Sequence, residues 1–164
     1  MRSAKVPRTP LAGPYGHPFH PVAVTIPIGA WTASLVFDVL ALLAEDAAPW
    51  VVGARALIVV GLVGAVVAAT LGFLDLSRLT AGTPARRTAV VHAVLNLAAI
   101  ALFAMGAIVR FAVGDDFSVV AFVLSIIALA GLGVSGWLGG KLAYRWGVRV
   151  ADEATQREGF ERVG

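Results

Sequence analysis

The residues of this chain best suited to chemistry are its three histidines, His17, His20 and His92. An imidazole can ligate a metal, relay a proton or join two helices through its ring nitrogens. His20 stands at the mouth of one long apolar run and His92 near the start of another, at a similar expected depth. Two histidines on different membrane helices form the axial ligand set of a b-type haem iron. Asp75 and Asn96 belong to the same level and could orient a ring nitrogen from outside the ligand set. Asn96 follows His92 by one helical turn and therefore shares its face. Other chemistry stays open at this point. A transition-metal site would draw on His17, His20 and Asp75. Polyproline geometry sets the first two about 9 Å apart, so one ion would require a tighter turn. Alternatively, His20 and His92 hydrogen-bond to Asp75 and tie the helices together, or serve a proton relay or a quinone contact.

A second set of ionisable residues, Asp38, Arg55 and Arg110, falls at the opposite ends of the same runs. Asp38 follows His20 by 18 residues, and Arg110 follows His92 by 18. That spacing is about five helical turns, or roughly 27 Å, and returns to the same helix face. Charged groups inside a membrane usually pair, so the expectation is a structural clamp among these three. An ion or proton entry point is the sharper alternative, and snorkelling without pairing is the third.

The elements that must position these residues are four apolar runs, near 22–43, 56–74, 89–109 and 117–138. A helix of about 20 residues crosses a hydrocarbon core of about 30 Å. The runs are continuous rather than alternating, which favours helices over a barrel. Hydrophobic residues make up 59% of the 164 positions and charged residues 14%, against roughly 25% charged in soluble domains. The expected fold is therefore all-α, an integral membrane four-helix bundle.

Basic residues set the expected orientation. Arg2, Lys5 and Arg8 precede the first run, and Arg78, Arg86 and Arg87 follow the second. Lys141, Arg145, Arg149, Arg157 and Arg162 follow the fourth. The positive-inside rule then places both termini and the middle connection in the cytoplasm. The net charge of +3 reflects these flanks and attraction to anionic lipid, not nucleic-acid binding. The chain has no cysteine, which excludes disulfides, thiolate zinc sites and conventional iron–sulfur ligation.

The domain reading is an N-terminal arm over 1–20, a four-helix domain over 21–149 and a solvated tail over 150–164. Pro7, Pro10, Pro14 and Pro18 predict an extended arm without the apolar core of a signal peptide. The first helix starts at Pro21 or Pro27, both tolerated in a first turn. Thr83–Pro84 predicts an N-cap and first residue for the third helix, and Asp116 a cap for the fourth. Tyr144 and Trp146, among Lys141, Arg145 and Arg149, read as an interfacial anchor. Gly64, Ala68 and Gly72, and likewise Gly131, Ser135 and Gly139, form small-residue stripes suited to close helix packing, a homodimer face or room for a flat cofactor. No long internal repeat is evident.

Five motifs occur in one order: His17-Pro18-Phe19-His20-Pro21; Pro27-Ile28-Gly29-Ala30-Trp31 with Asp38; Gly72-Phe73-Leu74-Asp75; His92 with Asn96; and Gly139-Gly140-Lys141-Leu142-Ala143-Tyr144. The series resembles the bacterial membrane family labelled domain of unknown function 2231, over roughly Gly16–Val150. The resemblance implies a four-helix inner-membrane protein whose biochemical role is not established. Some relatives carry a Rieske iron–sulfur domain, which implies redox chemistry indirectly. No nucleotide loop, nucleophile elbow or zinc-protease motif is present, so enzyme catalysis has no positive support. The leading functional expectation is a haem b-binding electron-transfer module with a redox partner or a larger membrane complex. The alternatives are a cofactor-free structural or accessory subunit and an oligomeric ion or small-solute pathway.

Overall fold

The computed structural model describes residues 1–161; Arg162, counted above with the basic tail, lies outside the described residues. Its helices are α1 (Arg2–Lys5), α2 (Phe19–Ala23), α3 (Thr25–Leu43), α4 (Ala48–Leu76), α5 (Pro84–Val113), α6 (Val119–Gly140) and α7 (Glu153–Glu158). A 3₁₀ turn covers Pro10–Ala12, and a π-helical turn over Lys141–Arg145 continues α6. There is no strand among the described residues. Four spans are long and apolar enough to cross a membrane: Phe19–Leu43, Ala48–Leu76, Pro84–Val113 and Val119–Arg145.

The first span begins before both prolines proposed as its start. Pro21 sits in the first turn of α2, where its missing N–H is harmless. Pro27 lies deeper and cannot donate to the carbonyl of Ala23, one turn earlier. The helix is accordingly interrupted at Val24, although Val24 N–H still reaches His20 O and Ile28 N–H reaches Val24 O. Thr83 Oγ1 accepts the Arg86 N–H at 3.2 Å, so α5 starts at Pro84 as its capping pair predicts. Ser118, not Asp116, caps α6, with Ser118 Oγ accepting from Ala121 N–H at 3.3 Å. The arm is not simply extended: its first residues coil into α1 and Pro10–Ala12 into a turn.

Neighbouring helices pack in the ring α3–α4–α5–α6, leaving α3 and α5 diagonal and running in the same direction. The bundle is apolar outside and holds its buried polar groups within a largely apolar core. Val36, Val63, Ile108, Val119 and Trp137 are exposed along its sides. Ser34, Asp38, Asp75, Arg110, Ser125, Ser135 and Arg149 are buried. This arrangement suits a lipid surround, where an outward polar group would lose water without gaining a partner.

A repeat that the sequence did not disclose organises this interior. The hairpin α2/α3–α4 and the hairpin α5–α6 reproduce each other's contacts. His20, Trp31 and Asp38 in the first span correspond to His92, Phe103 and Arg110 in the third, 72 residues on in every case. Ala54, Ile58, Gly61 and Ala68 of α4 correspond to Ala121, Ser125, Ala128 and Ser135 of α6, 67 residues on, and all eight are buried. Ala54/Ala121, Leu62/Leu129, Gly64/Gly131 and Gly72/Gly139 are identical pairs in that register. The two hairpins run in the same direction, so they are related by a pseudo-twofold axis along the bundle. The offset changes between helices because the first hairpin spends five more residues than the second between corresponding contacts. A search at one fixed period therefore misses it.

The termini meet at one end. Lys5 Nζ donates to Val150 O and Ala151 O at 3.2 and 3.3 Å, and Asp152 N–H donates to Tyr15 Oη at 2.7 Å. Asp152 also accepts from Thr155 N–H at the start of α7, and that backbone bond is the main cause holding its carboxyl below the usual range. Arg78 Nε donates to Ser3 O, which brings the α4–α5 connection to the same end.

Candidate functional site

The inner layer lies where the two hairpins face each other near that end. His20 Nδ1 is 2.9 Å from the Ala68 carbonyl of α4. His92 Nδ1 is 2.8 Å from the Ser135 carbonyl of α6, and 2.9 Å from Ser135 Oγ. A carbonyl oxygen only accepts, so Nδ1 carries the proton in both rings and Nε2 keeps its lone pair. The ring centres stand 6.4 Å apart with planes at 89°, and no hydrogen bond joins the two rings.

The glycine stripes make this approach feasible. A Cβ on Gly72 would lie 3.0 Å from His20 Cε1, and one on Gly139 would lie 3.3 Å from His92 Cε1. Either would push its imidazole away from the helix whose carbonyl orients it. In the same stripe, a Cβ on Gly64 would strike Ile26 and Pro27. The α4 stripe thus faces the bundle interior, and Gly139 does the same from α6.

Asn96 Nδ2 lies 2.8 Å from His92 O, 2.8 Å from Ser135 Oγ and 3.1 Å from His92 Nε2. The amide has two hydrogens for these three acceptors, and the contact to Nε2 is the longest. Asn96 can therefore release His92 Nε2 and keep two good bonds. Ser135 is the hub joining His92 to Asn96. Its only sequence signal was its place in a small-residue stripe.

Asp75 does not partner either histidine. Its Oδ1 is 2.9 Å from Arg149 Nε. Arg149 is buried, not part of a surface anchor, because its guanidinium also donates to Ala12 O at 2.8 Å and Gly13 O at 3.0 Å in the arm. Tyr144 remains exposed, and Lys141 Nζ lies 5.0 Å from the centre of the Trp146 ring. His17 is exposed in the arm, and among the described residues no three His, Cys, Asp or Glu side chains are gathered to hold a metal ion.

His20, His92, Asn96, Asp75 and Arg149 line one mostly apolar cavity of about 140 Å³ that is partly open to the outside. Phe73, Leu76, Leu97 and Leu142 supply its walls. An apolar cleft with a few convergent polar groups is the usual form of a small-molecule or cofactor site.

The outer layer is built differently. Arg110 Nη2 donates to Asp38 Oδ2, and each side chain is 3% exposed. Ser125 Oγ is 3.3 Å from the same nitrogen. Arg55 does not join them: it pairs with Asp115 at 2.9 Å, donates to Gly114 O at 3.1 Å and lies over Phe111. The expected cluster of three is thus one buried pair and one separate pair at the bundle's edge. Arg55 diverges because its register on α4 turns it toward the C-terminal end of α5, as its contacts with residues 111, 114 and 115 require. Between the two layers, Trp31 and Phe103 stack at 4.0 Å with planes at 12°, and Trp31 Nε1 donates to Ile58 O.

A family model described as "Predicted membrane protein (DUF2231)" matches residues 16–152. No curated protein and no solved structure matches the chain. The matched stretch runs from His17 through all four spans to Arg149 and holds every residue of both polar layers. The chain therefore belongs to the DUF2231 family of predicted membrane proteins.

Proposed function

We propose that this protein is a haem b-binding electron-transfer module of the bacterial inner membrane, with His20 and His92 as axial ligands. The observation that carries the reading is the pair of facing imidazoles, 6.4 Å apart at their centres, each with Nδ1 on a backbone carbonyl. His20 and His92 would hold the iron from the two hairpins, each through the Nε2 that its Nδ1 bond to a carbonyl leaves as the basic nitrogen. Ligating histidines characteristically donate their other ring N–H to a carbonyl, which fixes the ring and leaves the ligating nitrogen basic. The cavity walls are mostly apolar, and Asn96 with Ser135 holds His92. When bound, the iron supplies one-electron redox chemistry. A redox partner or larger membrane complex would exchange electrons with it.

A cofactor-free accessory subunit is the second reading. It is favoured by the Asn96 contact to His92 Nε2, which occupies the nitrogen that a metal would need. Optical spectra separate the two. Protein purified from haem-replete cells should show a Soret band and sharp reduced α and β bands, and His20→Ala or His92→Ala should remove or shift them. Colourless protein that gains no band on adding haem would favour the accessory subunit.

The basic flanks support a topology with both termini and Arg86–Arg87 in the cytoplasm. Cysteines introduced at Thr9 or Thr83 should escape an impermeant thiol reagent in intact cells, whereas one at Ala47 should react. The opposite pattern would invert the orientation.

A further inference from the structure

We infer that Arg149 anchors a carboxylate of the ligand held between His20 and His92, and that Asp75 occupies the anchor until that carboxylate arrives. The inference rests on the haem reading of the cavity and names the ligand chemistry at its polar edge. Arg149 and Asp75 both line the cavity, and Arg149 is 4% exposed. The far side of the guanidinium is fixed: Nη2 donates to Ala12 O and Gly13 O, and Nη1 reaches Lys5 O at 3.4 Å. Its near side is not satisfied. Nε and Asp75 Oδ1 are 2.9 Å apart, yet both are buried atoms without an aligned hydrogen bond.

A clasp between the arm and the tail needs only the Nη contacts to carbonyls. It does not explain a buried carboxylate held by charge alone, which is a poor return for its lost hydration. The backbone at Arg149 has a φ of 61°, a left-handed conformation uncommon outside glycine. Such a conformation persists where surrounding structure enforces it, and here Arg149 N–H bonds to Ala4 O at 2.9 Å. The result is a buried arginine at a cavity rim with its Nε–H unspent. A guanidinium N–H donates a charge-assisted hydrogen bond to a carboxylate oxygen. Tetrapyrroles of the haem b type carry propionate carboxylates at one edge, while their remaining periphery is apolar and suits the walls.

The probes are haem b and its dimethyl ester, titrated into ligand-depleted, detergent-solubilised full-length protein and followed by the Soret shift. Preference is the ratio of the two affinities, and comparing variants in one detergent cancels partitioning. Wild type should prefer the free acid by about ten- to one-hundredfold, the effect of a charge-assisted hydrogen bond. Arg149→Gln should reduce the preference to near unity, while Asp75→Asn, which removes the competing carboxylate, should enlarge it. Equal binding of acid and ester by wild type would overturn the anchor and leave the histidine site standing. A preference that survives Arg149→Gln would do the same. If Arg149→Gln does not accumulate, Asp75→Asn decides, and an unchanged or smaller preference overturns the anchor. Binding of neither macrocycle by wild type ends the haem reading and this inference with it.

Discussion

The outer and inner polar layers occupy corresponding positions on the same two diagonal helices, yet they meet differently. In the outer layer the repeat places Asp38 opposite Arg110, and the opposite charges close on each other. In the inner layer it places histidine opposite histidine. Each ring turns its Nδ1 to a carbonyl of its own hairpin, so the two stand apart with a cavity beside them. The pseudo-twofold axis thus has one end where the hairpins differ and lock, and one end where they match and leave space. Complementary residues on such an axis consume each other's bonding capacity, whereas identical ones retain it for a third body.

The largest expected effect breaks the locked end. Asp38→Ala leaves Arg110 buried and unpaired, a loss of about 3–5 kcal/mol for one partner of a buried pair. Detergent-solubilised protein should unfold at a markedly lower temperature. Asp38→Ala with Arg110→Ala should recover much of the loss, and a double-mutant cycle measures the coupling. Additive losses would contradict the direct pair. Arg55→Ala, with its exposed partner, should cost at most about 1 kcal/mol. Comparable losses for Arg55→Ala and Asp38→Ala would erase the distinction between the edge pair and the axial pair.

The smallest effect sharpens the matched end. Asn96→Ala removes the donor nearest His92 Nε2 but leaves Ser135 O on Nδ1. Stability should fall by about 1 kcal/mol, the value of a typical hydrogen bond, while haem uptake proceeds at least as readily as in wild type. Loss of uptake with stability unchanged would make Asn96 part of the binding site itself.

Several features were legible in the sequence because they are local. Run length and hydropathy fix four spans, since lipid demands an unbroken stretch of helix with its backbone bonds satisfied within it. Thr83 followed by Pro84 fixes the start of α5, because a cap is settled within one turn. The spacing of His20 from Asp38 and of His92 from Arg110 shows which ionisable groups share a helix face. Tertiary structure alone decided which of them meet. Arg55 and Arg110 read alike as basic residues at the outer ends of their spans, but helix register sends one to Asp115 and the other to Asp38. Arg149 read as one more basic flank. The arm folds back and supplies the carbonyls that bury it, through contacts 136 and 137 residues apart in the chain. The internal repeat stayed hidden because lipid-facing positions accept almost any apolar residue, and the hairpins differ by five residues between corresponding contacts. The correspondence is clearest at buried positions, and which positions those are depends on how the four helices pack.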